Sequence, residues 1–211
     1  MERMIMCDVL VYDFETLNNK ASQAVVVAFA AIACNWEDVS IGEYAFLKQK
    51  AFYMTFKVKR QVEEYGLKTS DSTIDWWSKQ SKEAQAVLRD PNKVEIDELP
   101  GAFAAYCKAN GVNKNTTVLI RAPQFDATIL ENIYDKLGVD GFPYNFWKVR
   151  DTRSIIDTAC GVDNGYVPMF KDAMERMGMT SHHAVDDCCK ELLQVKMAIQ
   201  GNYEEILSVL Q

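Results

Sequence analysis

The sequence predicts an α/β fold: a mixed central β-sheet, built from a three-strand antiparallel meander plus parallel strands, flanked by α-helices. Three observations lead there. Short β-branched runs come early and in succession, the apolar period then changes from two to 3.6, and later strand-like and helix-like segments alternate. At 211 residues with 48% apolar content, the chain reads as one domain, 1–211, with room for a sizeable core.

Asp8–Tyr12 (DVLVY) has the short β-branched character of a strand buried on both faces. Residues 24–34 (AVVVAFAAIAC) form a second strand, Asn35–Ser40 a turn, and residues 42–58 hold a third strand that is interrupted midway. Ser72–Arg89 is expected to be one helix, with Ser72 as N-cap and Asp75 completing a capping box. Asp97–Ala109 is a second helix, ended at Asn110-Gly111. Thr116–Ile120 is a strand. Phe125–Leu137 is a helix with Ile129, Ile133 and Leu137 on one face and Gly138 just past its end. Phe146–Arg150 reads as a short strand leading into a helix at 152–159. Ala184–Gln200 is a long helix with Leu192, Val195 and Ile199 inward, and Tyr203–Leu210 a last short one.

No segment has the apolar length of a signal peptide or a membrane span. The six cysteines show no CxxC spacing, and the adjacent pair Cys188-Cys189 is poorly placed for a relaxed bridge. Reduced thiols and a cytoplasmic location follow (host cytoplasm, if the chain is phage-encoded). The formal charge of −7 speaks against a nucleic-acid partner unless several acids are metal ligands.

The acids bear on that exception. In VYDFETL, residues 11–17, Asp13 and Glu15 stand two apart in a strand and project to one face, while Phe14 points to the core. Two neighbouring carboxylates repel unless a divalent cation lies between them. Taken alone, a DxE is more often two solvated acids at a strand end. Asp126 opens a helix, where an acid also suits the macrodipole. SHHAVDDCC, residues 181–189, holds both histidines of the chain, His182 and His183, beside Asp186 and Asp187.

In this order, DxE ending the first strand, an acid opening a middle helix and His-x4-Asp opening a late one resemble the DEDDh (DnaQ-like) 3′–5′ exonucleases of the ribonuclease H-like fold. STIDWWSKQSKEA at 72–84, QFDATIL at 124–130, FWKVRDTR at 146–153 and HHAVDDCCKELL at 182–193 look like the tailed-phage exonuclease A (DexA) group. That group is similar to the stand-alone exoribonucleases of the ribonuclease T-like set. The resemblance implies that Asp13, Glu15, Asp126 and Asp187 are metal-binding carboxylates and His182 the general base. Family spacing favours His182 over His183 and Asp187 over Asp186, and His183 stands where a sister subfamily has tyrosine. Ala122-Pro123-Gln124 departs from the small and polar residues many relatives carry before Asp126.

The implied activity is metal-dependent hydrolysis of single-stranded nucleic acid from the 3′ end, DNA favoured and RNA the alternative, releasing nucleoside 5′-monophosphates. The implied cofactors are two Mg²⁺ or Mn²⁺ ions, roughly 4 Å apart. Hard cations account for carboxylates and no cysteine at the site, and a histidine can take the water's proton. The ions would also cancel the charge of the four ligands, so the remaining cations need form only a local track. Lys57, Lys59, Arg60, Lys148, Arg150 and Arg153 are candidates, although Arg150 and Arg153 could instead pair with Asp151. Trp76, Trp77 and Trp147 could stack on bases or simply fill the core, with at most one of the first two deep inside. Thr16 and Leu17, matching family positions, would touch the terminal nucleotide. The competing function is an inactive binding module that keeps the fold.

Overall fold

The computed structural model describes residues 7–201, so the helix expected at 203–210 lies outside the described residues. Five strands form one sheet: β1 (Val9–Thr16), β2 (Val26–Cys34), β3 (Phe52–Thr55), β4 (Thr117–Ile120) and β5 (Val149–Asp151), in the order β3-β2-β1-β4-β5. β1–β2 and β2–β3 run antiparallel, β1–β4 and β4–β5 parallel, which is the mixed sheet that the sequence predicts.

The helices are α1 (Tyr44–Lys50), α2 (Lys59–Glu63), α3 (Asp71–Ser78), α4 (Lys82–Gln85), α5 (Glu98–Ala109), α6 (Pro123–Leu137), α7 (Thr152–Cys160), α8 (Pro168–Arg176) and α9 (Ala184–Gln200). Three of these, α1, α2 and α8, were not expected. The interruption in the third strand is α1 itself, so only Phe52–Thr55 is extended there. The helix expected over 72–89 is broken. Its N-cap is Ser70 rather than Ser72, whose hydroxyl bonds the Ser70 hydroxyl, and Asp75 pairs with Lys79 instead of closing a capping box. The chain restarts at Ser81, whose side chain accepts from the Ala84 N–H and caps α4. Phe146–Lys148 is a 3-10 turn, and β5 begins only at Val149.

Alternation along β1 divides the core between two sheet faces. Leu10, Tyr12 and Phe14 meet Phe29, Phe103, Ile129 and Ile133 beneath α5 and α6. Val9, Val11, Ala30 and Ile32 meet Cys188, Leu192 and Val195 of α9. Asp13 and Glu15 belong to this second face, and their cross-strand partners are Ala30 and Ala28. These small side chains leave room for α9 to lie close, with the Cys188 thiol 3.6 Å from the Ala30 carbonyl. Leu192 and Val195 face inward as expected, but Ile199 is exposed, while its neighbours Met197 and Ala198 stay buried.

Candidate active site

β1 continues past the end of β4, and its last residues carry the acids. One oxygen from each of Asp13, Glu15 and Asp187 lies within 4.8 Å of the others. The shared face of the strand supplies the first two, and the first turn of α9 brings the third. Asp126 sits in the first turn of α6, outside that triplet, and its Oδ1 accepts the Phe14 N–H at 3.1 Å. Burial, then the neighbouring carboxylates, push Asp13 and Glu15 well above the usual carboxylate range. Burial raises Asp126 to about 8 against the opposing Phe14 hydrogen bond. The donor set is all carboxylate oxygen, converging, and costly to ionise together. That is the chemistry a hard divalent cation relieves, so these residues fit such an ion.

Asp186 faces the other way. Its carboxylate takes Lys48 at 2.7 Å, the Tyr44 hydroxyl and the Thr180 N–H, which outweigh burial and hold it below the usual range. The two histidines diverge as well. His182 has a left-handed backbone, φ 62°, which costs a non-glycine residue on the order of 1 kcal/mol. Its ring lines a cavity of about 420 Å³ together with Asp13 and Asp187. Burial lowers its pKa, Asp187 opposing and Lys190 adding. His183 occupies the N-cap position of α9 without a side-chain capping bond and stacks on Tyr53, ring centres 5.5 Å apart, in a separate cavity of about 860 Å³. That cavity is the largest described, yet it holds none of the converging acids.

A family described as the 3′-5′ exoribonuclease Rv2179c-like domain matches residues 8–198. The chain belongs to that family. It is therefore a member of the 3′–5′ exonucleases of the DnaQ-like, ribonuclease H-like group, as its motifs suggested. It is 27% identical over 208 residues to the exodeoxyribonuclease of Enterobacteria phage T4, covering 90% of this chain and 88% of that protein. Among solved structures it is similar in fold to E. coli exonuclease I, solved with zinc and single-stranded DNA. The TM-score is 0.58 at 15% identity, over 96% of this chain and 42% of that one. Exonuclease I from Methylocaldum szegediense gives a TM-score of 0.60 at 12% identity, over 97% and 43%. The chain thus spans less than half the length of these exonucleases I.

In this exonuclease two unlike cavities flank the acids. One of about 380 Å³ is lined by Glu15, Thr16, Asn18, Trp76, Trp77 and Phe125. Trp77 is buried and Trp76 partly exposed, so the pair is divided between core and cavity, while Trp147 is on the surface. Thr16 faces the cavity, and Leu17 instead packs on the cluster around Trp77. On the other side, the cavity shared by Asp13, His182 and Asp187 holds four cations: Arg121, Arg153, Lys171 and Lys190.

The structure does not bring Arg150 to either cavity. Its guanidinium donates to the carbonyls of Trp147 and Val149 and borders a hollow by Asp8 and Ile199. Lys57, Lys59 and Arg60 pair with Glu95, Glu63 and Glu64. Asp151 caps α7 and accepts the Ala122 N–H, holding the connector in which Ala122 adopts φ 53° before Pro123. Sequence reasoning missed Arg121, Lys190 and Glu191. Glu191 is buried, bonded to Thr152 and to Arg121 at 3.1 Å, and burial raises its pKa. Its place one helical turn beyond Asp187 was the signal that could have found it.

Proposed function

We propose that the chain is an active, metal-dependent 3′–5′ exonuclease that trims single-stranded ends, DNA in preference to RNA, and releases nucleoside 5′-monophosphates. The observation that carries this reading is the convergence of Asp13, Glu15 and Asp187 within 4.8 Å, between an aromatic cavity and a cationic one. The aromatic side suits a terminal nucleoside and the cationic side the phosphates that precede it.

Asp13, Glu15, Asp126 and Asp187 would hold two divalent ions, Mg²⁺ or Mn²⁺. When bound, such ions supply a more acidic water, neutralised phosphate oxygens and a stabilised leaving oxygen. The neutral imidazole of His182 accepts the proton of the attacking water. The new bond joins that oxygen to phosphorus, the P–O3′ bond breaks, and the departing 3′-oxygen takes a proton. Thr16 and Trp76 border the terminal nucleoside, and Arg153 the strand behind it. DNA is favoured because the T4 relative that matches over 90% of this chain is an exodeoxyribonuclease. The family description, an exoribonuclease domain, supports RNA as the second substrate.

The test is digestion of matched DNA and RNA oligomers labelled at the 5′ end, with Mg²⁺, Mn²⁺ or EDTA. The expected result is a ladder shortening from the 3′ end, faster on DNA, absent in EDTA and absent for Asp13→Ala. Tight binding without turnover would instead support the inactive module.

A further inference from the structure

We infer that Trp76 is a positioning residue for His182: its indole holds the imidazole in place, beyond any contact it makes with a base. The inference rests on the reading of His182 as the proton acceptor. Among the described residues no hydrogen bond orients the His182 ring. What meets it is the Trp76 ring, 4.6 Å between centres and 79° between planes, the edge-to-face geometry aromatic rings favour. The backbone adds the need for such support, since His182 occupies a left-handed conformation that surrounding contacts must maintain.

Trp76 is in turn well fixed. It meets Trp77 edge-on at 5.3 Å, and the buried Trp77 donates its indole N–H to the Thr16 carbonyl at 2.8 Å. Thr16 follows Glu15 directly. One path of contacts therefore joins the strand end that carries two acids to the ring that would face the water: Thr16, Trp77, Trp76, His182. The loop's other side is tied to α9, where Asp186 accepts the Thr180 N–H and Lys190 donates to the Ser181 hydroxyl. Those ties fix the loop's backbone, whereas the Trp76 contact fixes the His182 side chain. A proton acceptor must stand within hydrogen-bond reach of its water, and a small misplacement is expensive in rate.

The test compares Trp76→Ala, Trp76→Leu, Trp76→Phe, His182→Ala and the Trp76→Ala/His182→Ala double variant. Each is assayed on two single-stranded oligonucleotides, one with an ordinary 3′ nucleotide and one with an abasic 3′ residue, with kcat and KM determined separately. Trp76→Ala and Trp76→Leu should lose roughly tenfold in kcat on both substrates. Trp76→Phe, which keeps an aromatic ring, should recover most of it. In the His182→Ala background, Trp76→Ala should cost no further kcat. A loss confined to KM, or to the substrate that carries a terminal base, would make Trp76 only a stacking surface and overturn the inference. Independent, multiplying losses in the double variant would do the same. If His182→Ala alone keeps full kcat, the proton acceptor has been misassigned, a failure distinct from that of Trp76.

Discussion

Phe14 donates its backbone N–H to a side chain because β4, which ends at Ile120, no longer runs beside β1 at that point. Asp126 fills the vacant place, so it satisfies a buried donor with one oxygen and keeps the other to offer a cation. The two duties can be separated. Asp126→Asn keeps an acceptor for Phe14 and should fold with near wild-type stability in EDTA, while activity falls by about a hundredfold or more. Asp126→Ala orphans the N–H and should lose about 1–3 kcal/mol beyond that, read by chemical denaturation in EDTA. Equal stability of the two variants would count against the structural duty. At this scale Asp13 and Glu15 were legible because strand periodicity fixes which side chains share a face, whereas only the family spacing singled out Asp187 over Asp186. The cations were not. Arg150 and Arg153 look alike in RDTR, but the first lies on the edge strand β5, away from the cavity, and the second on α7, where that helix enters it.

The break between α3 and α4 shows what elements add to residues. A helical pattern runs through 72–89, yet Trp77 must reach the Thr16 carbonyl, and the chain stops at Ser78 and restarts on the Ser81 cap. That demand is tertiary, so local pattern could not reveal it. The same holds for α1 and α8, short helices whose apolar residues are shared with the sheet rather than arranged in a long stripe of their own. The long helices α6 and α9 were legible because each has a full apolar face and a left-handed glycine at its C-terminus, Gly138 and Gly201. Two substitutions test the break. Ser81→Ala should cost about 1 kcal/mol, a fall of roughly 2–4 °C in Tm, with kcat unchanged. Trp77→Phe leaves the buried Thr16 carbonyl unpaired and should cost about 1–3 kcal/mol, with kcat falling as well because Glu15 is the adjoining residue. A Trp77→Phe variant that loses stability but keeps kcat would separate the helix from the site.

For the molecule as a whole, a formal charge of −7 and a nucleic-acid substrate are compatible because like charges are concentrated. The acids converge at one strand end, and four cations line the cavity beside them. That concentration makes stability depend on pH in an unusual sense. Without metal, the folded state holds the Asp126 proton up to about pH 8, whereas the unfolded chain releases it near 3.8. Between those values the folded state binds more protons than the unfolded one, so stability falls as pH rises. Asp13 and Glu15, raised in the same direction, steepen the fall. Ordinary paired acids such as Asp186 and Asp151 act oppositely, but their lowered pKa values confine their effect to pH below about 3.8; His182, lowered from 6.5 by burial, opposes the fall within the window, one group against three. In EDTA, Tm should therefore decline from pH 5.5 to pH 8. Added Mg²⁺ or Mn²⁺ offsets the carboxylate repulsion, so its gain in Tm should grow across the same interval, and Asp13→Asn should flatten both trends. Thermal melts at four or five pH values, with and without metal, decide it. A Tm in EDTA that holds level or rises toward pH 8 would mean that the acids are not coupled as their convergence requires.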